Sequence, residues 1–231
     1  MTQRSVLAII IPAHNEASTI DATLRGLQAL RLRGTEVIVV DGGSSDGTAE
    51  LAVPWVDQII HNAAGRATQM NAGARTSSRS VLLFLHADTL LPQDADSLVL
   101  DGLARSGRVW GRFDVRIEPE RPMLRTVAAT MNLRSRISGI CTGDQALFMT
   151  RDAFDTVGGF PDQPLMEDIE ISRRLKRLSP PLALRSQVRT SGRRWLTQGM
   201  WPTITLMWWL RLRYFLGAEP ALLARLYRGP Q

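Results

Sequence analysis

One cysteine in 231 residues, Cys141, leaves no partner for an intramolecular disulfide and too few thiols for a cysteine-rich zinc site. A reducing compartment suits such a chain. Long apolar runs are missing as well. Nothing reaches the roughly 18 uninterrupted residues of a spanning helix. The apolar run at 6–13 is short and passes into Pro12-Ala13-His14-Asn15-Glu16 rather than a small-residue cleavage site, so no secretory leader is expected there. No zinc finger and no aromatic ribonucleoprotein strand is present, and nucleic acid is not an expected partner. The first apolar run leads to proline and Asn-Glu, not Gly-x-Gly-x-x-Gly, which disfavours a dehydrogenase. A nucleotidyltransferase would carry a glycine-rich N-terminal loop with a basic residue, and that too is lacking. Neither internal repeats nor low-complexity linkers occur.

What is present suits one sizeable domain with a small appendage. A hydrophobic fraction of 44% and a charged fraction of 22% are ordinary for a globular protein and allow a core without staples. The formal charge of +6 is unevenly spread: from Arg173 onward twelve basic residues face a single acid, Glu219, among tryptophans and leucines. Such a tail fits an anionic membrane surface or a phosphorylated substrate. We divide the chain into a domain at 1–195 and a basic, aromatic, amphipathic tail at 196–231.

The order of elements in the first half reads β-α-β-α-β-α-β. Strands are expected at 6–11, 37–41, 56–60 and 81–85, with helices from Asn15 or Glu16 to Leu30, at 48–53 and at 65–75. That alternation predicts an α/β fold around a mostly parallel sheet with helices on both faces. The second half is less regular. Helices are expected at 92–104, 123–137, 151–157 and 167–178, and strands at 109–117, 146–150 and 182–184. The loops after strands one, two and four share one edge of the sheet, and each carries an acid: Glu16, Asp41 and Asp88.

The centre of the pattern is Val37-Ile38-Val39-Val40-Asp41-Gly42-Gly43-Ser44-Ser45-Asp46-Gly47-Thr48. A β-branched run entering an acid and two glycines places a carboxylate where an open α/β sheet binds ligands. Gly43 lets a flat ring approach the backbone, and Asp46 is expected to cap the next helix. An ordinary βα turn before a capped helix would read the same way. Asp41 is suited to accept from a base N–H or a ribose hydroxyl. Arg66, following a glycine at a helix start, suits a diphosphate; a solvated surface arginine is the alternative.

These segments resemble, in order, the blocks of the family 2 glycosyltransferases, enzymes of the GT-A fold. The blocks are Pro12-Ala13-His14-Asn15-Glu16 with the Asp41 loop, then Gly65-Arg66-Ala67-Thr68-Gln69-Met70-Asn71-Ala72-Gly73, then Phe84-Leu85-His86-Ala87-Asp88. Gly143-Asp144-Gln145 through Gly158-Gly159-Phe160 and Glu167-Asp168 complete the set. The resemblance covers about residues 6–178 and implies an inverting transfer of one sugar from a nucleoside diphosphate sugar to an acceptor hydroxyl. It assigns Pro12, Glu16, Asp41, Gly43, Arg66 and Asp88 to the nucleotide sugar, Asp168 to the general base and Glu167 to orienting the base or acceptor. A divalent cation, Mg²⁺ or Mn²⁺, is implied at Asp88. The family's Asp-x-Asp is replaced here, with His86 in the first acidic position, and histidine can ligate manganese or bond a ribose or phosphate. Gly192-Arg193-Arg194-Trp195 resembles, in part, an element that places Arg194 over the diphosphate and Trp195 on a sugar face.

The tail at 200–216 holds Trp201, Trp208, Trp209, Tyr214 and Phe215 with Arg211 and Arg213 among them. It is too short and charged to span, and suits a helix in the headgroup layer; packing on the domain or on a second copy in a homodimer is the alternative. Absent spans favour single transfers over processive synthesis, as in a small bacterial non-processive subgroup. The acceptor is then lipid-linked or a small molecule, and the protein cytoplasmic, peripheral on the inner face of the membrane. The rival expectation, prompted by His86, is a membrane-associated nucleotide-binding protein that keeps the fold without catalysis.

Overall fold

The computed structural model describes residues 6–197 and 199–228. Eight strands form one sheet: β1 (Leu7–Ala13), β2 (Glu36–Asp41), β3 (Gln58–His61), β4 (Val81–Phe84), β5 (Thr89–Leu90), β6 (Trp110–Glu118), β7 (Leu147–Thr150) and β8 (Leu182–Ser191), in the order β3-β2-β1-β4-β7-β6-β8-β5. The strands β3, β2, β1 and β4 run parallel, β7 runs against β4 and β6, and β8 runs parallel to β6. The helices are α1 (Ile20–Gly26), α2 (Gln28–Leu32), α3 (Thr48–Ala52), α4 (Arg66–Thr76), α5 (Ala95–Ser106), α6 (Pro122–Ser138), α7 (Arg151–Thr156), α8 (Glu167–Leu175), α9 (Arg193–Thr197), α10 (Met200–Phe215) and α11 (Pro220–Arg228).

The continuous apolar run of β1 is explained by cover on both faces. Leu7, Ile9 and Ile11 point into a core with Ile20, Leu24, Leu27 and Leu30 of the first helices and Val99 and Leu103 of α5. Ala8 and Ile10 point the other way, onto Ala67, Met70 and Ala74 of α4 and Ile171 and Leu175 of α8. The period of two along the strand thus divides its side chains between two cores.

Two departures from the sequence expectation have local causes. The first helix starts at Ile20 rather than Asn15 or Glu16, because the loop after β1 is bonded instead to the loop after β2. The N–H groups of Asn15, Glu16 and Ala17 donate to Ser44 Oγ, Thr48 Oγ1 and Asp46 Oδ2, and Ser45 N–H donates to Asn15 Oδ1. Asp46 still receives the Thr48 N–H at 3.1 Å, but its second oxygen ties the two loops together. The last strand runs to Ser191 rather than ending at Leu184: its second half alternates outward Arg185, Gln187 and Arg189 with inward Val188 and Thr190 beside β6.

Past the sheet, α10 and α11 fold back onto it. Leu206, Leu210 and Tyr214 of α10 and Leu223 and Tyr227 of α11 pack with Ile140, Met166 and Ile169. No helix among the described residues is long and apolar enough to cross a membrane.

Candidate active site

The carboxyl ends of β1 and β4, the start of α4, the loop before α8 and the start of α9 converge on one cleft. Its inner part, about 290 Å³, is lined by Pro12, Glu16, Arg66, His86, Asp88, Asp144, Glu167, Asp168, Arg193, Arg194 and Trp195, with Met207 and Arg211 of α10 and Tyr227 of α11 closing one side. An adjoining part of about 680 Å³ shares Pro12, Glu16, Arg66, Leu165, Glu167 and Tyr227 and extends along Ala13, His14 and Gly65 to Gln69. Nine of the residues expected from sequence therefore meet around one volume.

Asp41 and Gly43 line neither part. Asp41 ends β2 opposite Ala13 of β1, and Ala13 faces the outer part of the cleft. Its Oδ2 accepts the N–H groups of Gly43 and Ser44, both at 3.0 Å, a bend that Gly43 reaches at φ +81°. Burial works against the charge of Asp41, but the Ser44 hydroxyl and these two N–H groups outweigh it and hold the carboxyl below its usual range. Its Oδ1 is buried with no hydrogen-bond partner. A buried carboxylate oxygen left unsatisfied is costly, and one further N–H donor would relieve it.

Glu16 is fixed by Thr19 Oγ1 at 3.0 Å and by Arg193 Nη2 at 3.1 Å. Arg193, which sequence reasoning passed over for its neighbour, is thus the arginine tied to the β1 loop. Arg194 instead donates to the Tyr227 carbonyl at 3.1 Å, with its guanidinium carbon 3.6 Å from that ring's centre, and so anchors α11 beside the cleft. Trp195 lines the cleft while packing on the main core.

Asp88 lies half-buried after β4. Burial pushes its carboxyl up; the nearby Asp144 and Glu16 push the same way, while His86 and Arg193 oppose them. Its Oδ1 receives only a long bond from Thr89 Oγ1, at 3.4 Å. The Nδ1 of His86 is 3.3 Å from Asp144 Oδ1. Its Nε2 is buried without a partner against Gly143, where a Cβ would come within 2.2 Å of it. His86 is therefore in contact with Asp144, a residue the sequence reading quoted in a block without assigning it a role. Among the described residues no group of three or more His, Cys, Asp or Glu side chains is arranged to hold a metal by itself. A hard cation would nonetheless suit Asp88, since burial and the nearby acids disfavour its charge and a bound cation would offset that.

Asp168 sits in the first turn of α8, after Met166 at φ +66°. Its Oδ2 accepts the Gly143 N–H at 3.1 Å and its Oδ1 the Ile169 N–H at 2.8 Å. Both bonds point the carboxylate into the cleft that it shares with Asp88.

The profile of glycosyl transferase family 2 matches residues 8–160. The chain belongs to this family. Among curated proteins, this family 2 chain is similar to the poly-beta-1,6-N-acetyl-D-glucosamine synthase of Staphylococcus aureus, at 30% identity over 101 residues covering 41% of this chain and 24% of that one. It is 24% identical over 190 residues to the synthase of that name from Staphylococcus epidermidis, covering 73% of this chain and 45% of that one. The chain thus spans less than half the length of either relative. Among solved structures it resembles the mannosyltransferase PcManGT from Pyrobaculum calidifontis in complex with GDP-Man and Mn²⁺, with a TM-score of 0.62 and 21% identity over 81% of this chain and 57% of that one. Staphylococcus aureus TarS 1-349 in complex with UDP-GlcNAc gives 0.67 and 16%, covering 80% of this chain and 58% of that one. The fold is that of the GT-A glycosyltransferases.

Glu167 has a consequence for stability in this family 2 domain. It is 3% exposed, and burial is the main influence, raising its pKa; Arg66 Nη1, 3.5 Å away, lowers it, and Asp168 raises it further. A carboxyl raised in the fold costs nothing to bury below its ordinary value of 4.5 and its full ionisation cost above the raised one. Glu167→Gln is therefore expected to melt higher than the parent at pH 7.5, with the margin closing as pH falls toward 4.5. Parallel melting curves across that range test this; an equal margin at both ends would contradict it.

Proposed function

We propose that this protein transfers one sugar from a nucleoside diphosphate sugar to an acceptor hydroxyl with inversion. The observation that carries the reading is the meeting of Asp88, Asp168 and Arg66, from three distant segments, around one cleft. In this reading the unpartnered Oδ1 of Asp41 takes a base N–H, beneath the outer part of the cleft. Glu16, Pro12 and Gly43 shape the nucleoside side, and Arg66, Arg193 and Arg194 face the diphosphate. Asp88 would hold Mg²⁺ or Mn²⁺, whose part is to neutralise charge on the departing diphosphate. His86 keeps Asp144 in place. Asp168 takes the acceptor's hydroxyl proton, the freed oxygen bonds to the anomeric carbon, and the bond from that carbon to the diphosphate breaks, releasing nucleoside diphosphate. The relatives' bound UDP-GlcNAc and GDP-Man support a nucleotide-sugar donor. We take 1–195 as the transferase domain and 196–231 as a tail whose α10 and α11 complete the cleft wall.

The test is a panel of UDP-, GDP- and dTDP-sugars with and without Mn²⁺, followed by release of nucleoside diphosphate. Metal-dependent release from one donor is expected. Nucleotide binding without release across the whole panel would favour the rival, a fold that has lost catalysis.

The tail also supports a peripheral site on the cytoplasmic face of the membrane. Trp201, Trp208, Leu212 and Phe215 form one exposed stripe on α10, opposite the face that packs inward, with Trp208 70% exposed. Leu133 and Ile137 of α6 are exposed as well. Substituting Trp201 and Trp208 by serine is expected to weaken cosedimentation with anionic vesicles by about tenfold or more. Unchanged cosedimentation would defeat the membrane assignment, and a dimer lost in the double variant would assign the stripe to a second copy.

A further inference from the structure

Two arginines behind the catalytic carboxylate have no use in the reaction described above. Arg134 is on α6 and Arg211 on α10, and Ile140, just past α6, belongs to the same buried cluster as Leu210 of α10. Arg211 lines the inner cleft beside Asp168. The Nε and Nη2 of Arg134 and the Nε of Arg211 are buried without hydrogen-bond partners. The two charges repel: burial, then the charge of Arg211, brings Arg134 down to about 10, and burial lowers Arg211 too. Asp168 and Asp144 favour both cations through space without bonding to the orphaned nitrogens. Two buried guanidiniums that feel each other's charge and hold unused donors are an arrangement that an anion completes.

We infer that Arg134 and Arg211 seat a phosphate monoester carried by the acceptor, close to the hydroxyl that Asp168 deprotonates. The charge fits, since a phosphomonoester at neutral pH carries about −1.5 to −2 and offsets both guanidiniums. The chemistry fits, since a planar guanidinium fork bonds two oxygens of one tetrahedral group. The position fits, since Arg211 stands on the wall of the cleft bearing Asp168. The identity of the bound group as part of the acceptor rests on the glycosyl-transfer reading; the anion seat does not.

Glycerol 3-phosphate, with glycerol as control, probes a soluble phosphate. Vesicles of phosphatidylcholine with phosphatidic acid, against phosphatidylglycerol at equal charge, probe a lipid headgroup. Each is measured with and without saturating nucleoside diphosphate and Mn²⁺, which keep the probe out of the donor position. A phosphate-dependent rise in melting temperature, or a preference for phosphatidic acid, is expected in the parent with nucleotide present. It should fall at least tenfold in apparent affinity in Arg134→Gln and Arg211→Gln. Without any anion Arg134→Gln is expected to melt no lower than the parent, because it removes one of two repelling buried charges; this separates loss of the seat from loss of the fold. Absence of binding in both arms, or equal binding by parent and both variants, would overturn the assignment. If no nucleotide binds but the phosphate effect persists and depends on the pair, the donor reading fails and the anion seat stands.

Discussion

Asp168→Asn is expected to lower turnover by roughly 10²- to 10⁴-fold, the range contributed by a positioned general base. Asparagine has nearly the same shape and keeps one oxygen for the Gly143 or Ile169 N–H groups that Asp168 now bonds at 3.1 and 2.8 Å. Losing one of these two bonds costs about 1 kcal/mol of stability, which a folded domain of this size tolerates. The amide has no basic oxygen, so the acceptor's proton has no destination. Donor binding should be nearly unchanged, because the outer part of the cleft, where the nucleoside is proposed to lie, is lined by the β1 loop and α4 among others and does not include Asp168. The measurement is kcat for nucleoside diphosphate release, with the nucleotide dissociation constant determined alongside. A variant within tenfold of the parent in kcat would move the base elsewhere, and Asp144 would be the next carboxylate to test.

Much of this arrangement is legible in the chain because it lies at the ends of strands that announce themselves. The runs at 7–13 and 36–41 are mostly apolar because both faces are covered, and the residues that follow the first and end the second must then lie at the sheet edge. The acids Glu16 and Asp41 are placed at that edge by the pattern, while Pro12 and the roles given to all three come through the resemblance to family 2. The expected helix at 92–104 appears as α5. What could not be read depends on contacts between distant segments. The last strand looks too polar for a core because only Val188 and Thr190 of its second half are buried. The choice between Arg193 and Arg194 turns on a single residue's rotation at the start of α9, which one faces Glu16 and the other Tyr227. Apolar residues surround α10 on every side, so periodicity does not say that Leu206, Leu210 and Tyr214 turn inward while Trp201 and Trp208 remain outside. For the same reason Arg211 reads as an interfacial charge, although it lines the cleft. His86 reads as a group for a cation, a ribose or a phosphate; its contact with Asp144 and the close approach of Gly143 to its ring have no local sequence signature.

Asp88→Ala is the second large expected effect, and it separates a functional carboxylate from a structural one. The side chain does little for the fold: one long bond from Thr89 is its hydrogen bond, while the link from Ser191 N–H goes to the Asp88 main-chain carbonyl and survives the substitution. Burial raises the Asp88 carboxyl, so ionising it in the fold carries a cost at neutral pH that alanine does not have. The variant should therefore melt at or above the parent at pH 7.5, and lose any advantage as pH falls toward the ordinary carboxylate value. Activity should move the other way. Charge stabilisation of a departing diphosphate is worth several kcal/mol, and about 4 kcal/mol corresponds to about 10³-fold in rate. Nucleoside diphosphate release should fall by that order, and the dependence of nucleotide affinity on Mn²⁺ should disappear. A variant that is destabilised and still responds to Mn²⁺ would show that Asp88 serves the sheet edge and that the cation, if one is used, is held elsewhere in the cleft. A stable variant with the lost metal response would place the cation at the end of β4, across the cleft from the proton acceptor on α8.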